Sequence, residues 1–259
     1  SDAGLSGQHH LLRSGAENRR AQVSMSNTLT LQPVGILSSP YREKFAVPRQ
    51  PGLVKSARAR LELLPPCNDP QTLRGIEQFS HLWLIFQFHE CAEQGWHPTV
   101  RPPRLGGNER VGVFASRSPF RPNGLGLSVV ELRGVQQQGS RLWLELGGVD
   151  LVDGTPILDI KPYVPYADSL PLANGGFAPQ APTLMSVEFE PQAETSLHQQ
   201  QGRYPELRSF IAEVLAQDPR PAYRHQTDDD REYGVHLYEF NVRWRVVGGI
   251  NRVVALDPV

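Results

Sequence analysis

Between Thr99 and Ser128 the chain places five arginines, Arg101, Arg104, Arg110, Arg117 and Arg121, against a single acid, Glu109. Pro102, Pro103, Pro119 and Pro122 stiffen the backbone between them, and five glycines admit close approaches that a side chain would block. Guanidinium forks on a stiff, shaped loop suit a polyanion or a phosphorylated ligand. Three smaller sets can also carry chemistry. Pro48 and Pro51 bracket Arg49 and Gln50 and hold them extended, as a ligand-facing turn or as a plain strand connection. His89 and Glu90 emerge at the end of the most apolar run, where they reach a site or simply cap the strand. Asp150 and Asp153 share a tight turn closed by Gly154 and Pro156, where carboxylates either face a ligand's ammonium or ribose hydroxyls or cap their own backbone.

The elements that position these groups are short and mostly extended. Strands are expected over 31–37, 57–63, 81–90, 110–115, 129–135, 141–146 and 157–160, at the near-regular spacing of a barrel or sandwich. A short helix is expected over 73–79. After Tyr166 the character shifts: 167–182 is rich in Ala, Pro and Gly and reads as a linker. A strand over 183–189 follows, then an amphipathic helix over 205–216, with Leu207, Phe210, Ile211, Val214 and Leu215 on one face and Pro205 near its start. Asp218 to Arg224 is again stiff and pairs Arg220 and Arg224 with Tyr223, a combination that pins phosphates and stacks a base. A final strand turns Tyr238, Phe240, Val242, Trp244 and Val246 inward, leaving Arg243 and Arg245 on the polar face as either a basic track or a solvated surface.

The 259 residues suffice for a substantial core, and 39% hydrophobic with 20% charged residues is the balance of a soluble globular chain. Nothing approaches the apolar length of a membrane span, so a cytoplasmic protein is expected. Cys67 and Cys91 lack metal-ligand spacing, and neither a zinc site nor a disulfide framework is expected. Of 26 basic residues only Lys44, Lys55 and Lys161 are lysines, which is either a selection for phosphate-binding forks or a general coding bias. The net charge of −1 means that any polyanion must meet a local patch. Residues 1–28 lack periodicity and read as a disordered upstream extension or a cloning remnant, with Met25 as the expected native start.

Six blocks carry a resemblance: PVGILSSPYREKFAVPRQPGLV (33–54), FSHLWLIFQFHE (79–90), RPPRLGGNERVGVFASRSPFRPNGLGLSVVEL (101–132), DLVDGTPILDIKPYVPYADS (150–169), AQDPRPAYR (216–224) and FNVRWRV (240–246). In this order they resemble the signature blocks of the bacterial tRNA N6-threonylcarbamoyladenosine methyltransferase family. No strand is followed by the glycine fingerprint of a doubly wound cofactor fold.

The resemblance implies a single-sheeted β-barrel that binds S-adenosylmethionine. The chain is expected to be mainly β, with that barrel over 29–166, the linker over 167–182, and a small C-terminal α+β domain over 183–259 that either contacts tRNA or supports the barrel. The resemblance also implies a homodimer with the cofactor near the subunit interface. Carried over by position, the cofactor contacts are Pro48, Arg49, Gln50, His89, Glu90, Arg117, Leu127, Asp150, Leu151, Val152 and Asp153. Glu90 stands where the family leads one to expect an uncharged glutamine, which confines its role to its backbone. His89, Asp150 and Asp153 are the candidate proton acceptors, with no choice among them. Expected tRNA contacts are Arg104, Arg121, Arg220, Tyr223, Arg224, Arg243 and Arg245, and Arg117 or Arg121 is placed to hold a threonyl carboxylate. Two other readings remain: a non-catalytic, S-adenosylmethionine-responsive RNA-binding or regulatory barrel, and a small-molecule methyltransferase.

Overall fold

Leu82, Leu84 and Phe86 take alternate positions in the apolar run and point into a closed barrel, the period-two pattern of a strand with one buried face. A computed structural model describes residues 28–225 and 227–259. Most of the expected extension, residues 1–27, lies outside the described residues. Pro33–Val259 makes up one compact unit.

The barrel is built from β1 (Gly35–Ser38), β2 (Arg58–Leu63), β3 (His81–Gln87), β6 (Leu125–Gln138), β7 (Arg141–Gly147) and β8 (Pro156–Pro162). Its order is β1-β2-β7-β6-β3-β8, every pair antiparallel, and β8 closes onto β1. Closure removes unpaired edges and lets turns from distant stretches of chain meet at one end. At the register pair Phe86↔Gly126 the aromatic ring lies over the glycine. A Cβ at Gly126 would stand 2.2 Å from Phe86 Cζ, so only glycine fits.

The strand expected over 110–115 shrinks to β5 (Val111–Gly112), which pairs with β4 (Thr99–Val100) in a two-stranded ladder separate from the barrel. Val113–Ala115 turns into a 3-10 helix, so the arginine loops rest on their own small ladder instead of a barrel strand. The helix expected over 73–79 is also corrected. Gly75, at φ 87°, separates two 3-10 turns, Pro70–Leu73 and Ile76–Gln78.

After β8, the single turn α1 (Pro165–Asp168) leads into 169–185, which contains no helix or strand. The rest is a four-stranded sheet of order β10-β11-β12-β9, from β9 (Ser186–Phe189), β10 (Asp229–Leu237), β11 (Phe240–Val247) and β12 (Ile250–Pro258). Against it lie α2 (Pro191–Gln200) and α3 (Leu207–Ala216), α3 burying the apolar stripe read from the sequence. One continuous hydrophobic core runs through both sheets. At the junction Tyr41 bridges to Leu237 and packs against Phe210 at 5.6 Å between centroids, while Arg58 grips Glu206 with bonds of 2.7 and 2.8 Å. No helix of the described residues is long and apolar enough to cross a membrane.

Candidate functional site

The turn between β7 and β8 is stitched onto the end of β1. Asp153 N–H donates to the Tyr41 carbonyl at 2.9 Å, Ser39 N–H donates to Asp153 Oδ1 at 2.9 Å, and Ser39 Oγ donates to the Leu151 carbonyl at 2.6 Å. The other Asp153 oxygen pairs with the Arg42 guanidinium. Asp153 therefore lines a cleft of about 500 Å³ between the barrel and the helices, beside Arg42, Tyr204 and Tyr238. Each Asp153 oxygen thus holds one partner within the turn and its neighbour, which favours a structural role for a residue also expected as cofactor contact or proton acceptor.

Asp150 faces elsewhere. With Leu151 and Val152 it lines a second cleft of about 160 Å³, whose other walls are Lys44, Val47, Phe86, Phe88, His89 and Glu90. Burial pushes the Asp150 carboxyl up to about 6, opposed by the Ser128 hydroxyl, by its own backbone N–H and by the charge of Arg117. Asp150 Oδ1 is buried without a hydrogen-bond partner. Ser128 is itself buried, facing inward from β6.

Three stretches that the sequence singled out separately thus converge. The 44–50 stretch is tied to the 3-10 turn His89–Gln94 by Lys44 Nζ, which donates to the Glu90 carbonyl at 2.8 Å and lies 3.6 Å from Cys91 Sγ. It is tied to the arginine loop by Arg117, which donates to Gln50 Oε1. Pro48 is buried and Arg49 lies on the exposed side of the turn. The Arg49 pKa is lowered by partial burial of its guanidinium and then by the like charge of Arg104, with Asp218 opposing both. Leu127 does not join the cleft. It points outward from β6 and is 55% exposed, because the inward positions of that stretch are Gly126 and Ser128.

The expected tRNA contacts divide in the same way. Arg104 donates to the Gln180 carbonyl of the 169–185 segment, and Arg121 donates to the carbonyls of Ser116 and Ser118 at 3.0 and 3.1 Å, shaping its own loop. Tyr223 is 75% exposed with the Arg224 guanidinium 5.3 Å over its ring, a free stacking face beside a cation. Arg220 is corrected: it is 4% exposed, with its fork on Asp218 at 2.7 and 2.9 Å and Nη1 on the Thr227 carbonyl at 2.9 Å. It braces the segment that displays Tyr223 and leaves no surface for a phosphate. The basic track on β11 is corrected too. Arg243 pairs with Asp257 and Glu232, each at 2.6 Å, and Arg245 with Glu232 at 3.2 Å, so acids on the neighbouring strands neutralise it.

Lys44, Ser128 and the Phe86–Phe88 floor escaped the sequence reading. Only Gly126 left a signal, as a glycine inside an apolar strand pattern.

Comparison with known proteins places these features in a family. The model of the tRNA-methyltransferase O N-terminal domain matches residues 36–169, and that of the TrmO C-terminal domain matches residues 182–259. The chain is 54% identical to a tRNA (adenine(37)-N6)-methyltransferase of Escherichia coli K12, over 90% of this chain and 99% of that protein. It is 49% identical to a putative S-adenosylmethionine-dependent methyltransferase of Pseudomonas aeruginosa, over 84% and 92% of the two chains. A crystal structure of TrmO from Pseudomonas aeruginosa superposes with a TM-score of 0.74 at 41% identity, covering 88% of this chain and 98% of the other. Matched by both domain models and by relatives along nearly their whole length, the chain belongs to the tRNA-methyltransferase O family.

Proposed function

We infer that this chain is an S-adenosylmethionine-dependent methyltransferase acting on N6 of adenine 37 in tRNA, the position named for its relatives at up to 54% identity. We propose further that the acceptor is N6-threonylcarbamoyladenosine. The observation that carries the reading is the convergence of Lys44 and Val47, His89–Glu90 and Asp150–Val152 on one apolar cleft at the barrel end, with Gln50 bonded to Arg117 of the arginine loop. Apolar walls, an unpartnered buried carboxylate oxygen and a nearby ammonium fit a cationic cofactor with a zwitterionic end. S-adenosylmethionine supplies the methyl group on a sulfonium that leaves as a neutral thioether.

Because that leaving group needs no proton, the chain's own contribution is proximity, alignment and low polarity around the reacting centre. Val47, Phe86, Phe88, Leu151 and Val152 exclude water from the cleft. The acceptor nitrogen is ureido-like, with a delocalised lone pair, so removal of its proton assists attack. His89 and Asp150 both line the cleft and are the acceptors this reading allows. Arg117 and Arg121 keep N–H groups beyond those already bonded, and a bidentate fork from either suits the threonyl carboxylate.

In this reading 29–166 holds the cofactor, 167–182 links, and 183–259 contacts tRNA through Tyr223 and Arg224, in the cytoplasm. A homodimer is part of it, with Leu125 and Leu127, 38% and 55% exposed on the strand beside the cleft, as apolar surface for the second copy.

The test is mass spectrometry of nucleosides after incubating the protein and S-adenosylmethionine with tRNA that carries, or lacks, the threonylcarbamoyl group. One methyl gained at nucleoside 37 only in the carrying tRNA is the expected result. Equal methylation of both removes the proposed acceptor, and methylation of neither removes the enzyme reading.

A further inference from the structure

Gly112, in the small β4–β5 ladder, has no reason inside the chain to be glycine. Its φ of −60° and ψ of 145° are open to any residue, and a Cβ built on it would meet no atom within 4 Å. Phe86 keeps Gly126 bare, but nothing among the described residues does the same for Gly112. A glycine inside a strand loosens it, and it is characteristic of a place where another molecule comes close. The position is exposed, between the half-buried Val111 and the buried Val113.

The face around Gly112 is cationic. Gly112 opposes Thr99, and the register carried one step past Val100↔Val111 sets Arg101 opposite Arg110 on the same side of the ladder. Arg110 Nη1 reaches back to Thr99 Oγ1 at 3.1 Å, which brings its guanidinium beside the bare glycine. Among the described residues Arg101 has no side-chain partner, and Arg110 has only that hydroxyl. Elsewhere guanidiniums are matched by acids, Arg60 by Glu145, Arg141 by Glu62 and Arg243 by Asp257. Cations left unmatched on one face call for an anion from outside the chain. At the other end of the ladder Val113 N–H donates to the Pro98 carbonyl at 3.0 Å, and just past that bond come Phe114, 78% exposed, and Trp96, 50% exposed. Open rings beside free guanidiniums suit unpaired bases on a phosphate backbone. A second copy docked through this same face would instead set like charges against one another.

Resting on the reading that the substrate is tRNA, we propose that the exposed face of the β4–β5 ladder binds an unpaired stretch of that RNA. Its backbone lies over Gly112, with phosphates on Arg101 and Arg110 and bases stacked on Phe114 and Trp96. The span from Pro98 to Arg101, about 10 Å at ~3.3 Å per residue, matches about three stacked nucleotides. A little further along the chain Arg117 bonds Gln50, so the bound strand lies next to the stretch whose Lys44 and Val47 wall the smaller cleft.

The experiment is fluorescence anisotropy of labelled tRNA carrying the threonylcarbamoyl group, titrated with the full chain at several salt concentrations. Calorimetry with S-adenosylhomocysteine, the demethylated cofactor, and sedimentation of the free protein accompany it. Gly112→Val is expected to weaken tRNA about tenfold or more while melting temperature, S-adenosylhomocysteine affinity and sedimentation stay as in wild type. Arg101→Gln and Arg110→Gln are each expected to lower the logarithmic salt slope by about 1. Phe114→Ala is expected to weaken tRNA about tenfold at an unchanged slope and Phe114→Trp to retain binding, and this pair serves if Gly112→Val does not fold. Undiminished tRNA affinity in folded Gly112→Val, or in Phe114→Ala where the former does not fold, would overturn the proposal. So would altered sedimentation of Gly112→Val together with unaltered slopes in both arginine variants, which would make the face a contact between copies of the chain. A wild-type chain that binds no tRNA would remove the tRNA reading itself, and the proposal with it.

Discussion

The ring of Phe86 covers Gly126 on the adjacent strand so closely that a Cβ there would stand 2.2, 2.4 and 2.7 Å from three of its atoms. Phe86 meets Phe88 edge to face at 5.0 Å between centroids, and both rings line the smaller cleft. A backbone position inside the barrel therefore sets the shape of the candidate cofactor site.

Gly126→Ala must push Phe86 off its rotamer. Overpacking of this kind costs about 1–3 kcal/mol, and the displaced ring intrudes on the cleft, so stability and S-adenosylhomocysteine affinity are expected to fall together. Phe86→Leu in the same chain makes room for the methyl group and is expected to recover most of the stability. A single variant as stable as wild type, by chemical denaturation, would show that the ring moves freely and does not shape the site.

The barrel was legible because its strands alternate. Leu82, Leu84 and Phe86, or Leu142, Leu144 and Leu146, announce a buried face without help from tertiary context. Three later elements were not. In α2 only Ala193 and Leu197 are buried, too few for an apolar stripe, and β10 begins with the charged run Asp229–Glu232. In β12 burial does not alternate cleanly, since the ladder slips between Arg243 and Trp244. The site was half legible for a different reason. Residue types pointed to the Asp150–Asp153 turn and to His89, but the sequence cannot say that two acids three residues apart enter different clefts. Nor can it say that Lys44 reaches a carbonyl 46 residues away.

The bonds of Asp153 to Ser39 and Arg42 predict that it holds the turn and accepts no proton in the reaction. Asp153→Asn keeps an oxygen for the Ser39 N–H while giving up the Arg42 charge, a half-exposed pair worth about 1 kcal/mol or less. Methyl transfer by this variant is expected to stay within a few-fold of wild type. A general base contributes roughly 10²–10⁴-fold, so a loss of that size with unchanged S-adenosylhomocysteine binding would return Asp153 to the list of proton acceptors.

Arg220 and Arg224 should part company. Arg220→Ala leaves Asp218, 9% exposed, as an unpaired charge, and loss of one member of a buried pair costs about 3–5 kcal/mol. Arg224→Ala gives up a half-buried pair with Asp229 at 3.3 Å, so it should cost about 1 kcal/mol or less, and if the guanidinium turns from Asp229 to a phosphate on binding it should weaken tRNA and lower the logarithmic salt slope by about 1. Melting temperature separates the two. If Arg220→Ala melted as wild type does, its buried pair would be irrelevant to the fold, and an unaltered slope in Arg224→Ala would assign that residue to packing.

The Asp150 carboxyl, pushed up to about 6 by burial, makes stability depend on pH in a definite direction. Between its ordinary 3.8 and about 6 the folded chain holds a proton that the unfolded chain has released. Stability from this group therefore falls as pH rises through that window, and above it the buried charge costs at most about 3 kcal/mol. Asp150→Asn removes the charge, so the variant is expected to melt higher than wild type at pH 8, with the difference shrinking toward zero near pH 4. Melting curves of both proteins across that range decide the matter. A difference that stays constant with pH would mean that the carboxylate is already paired in the folded chain.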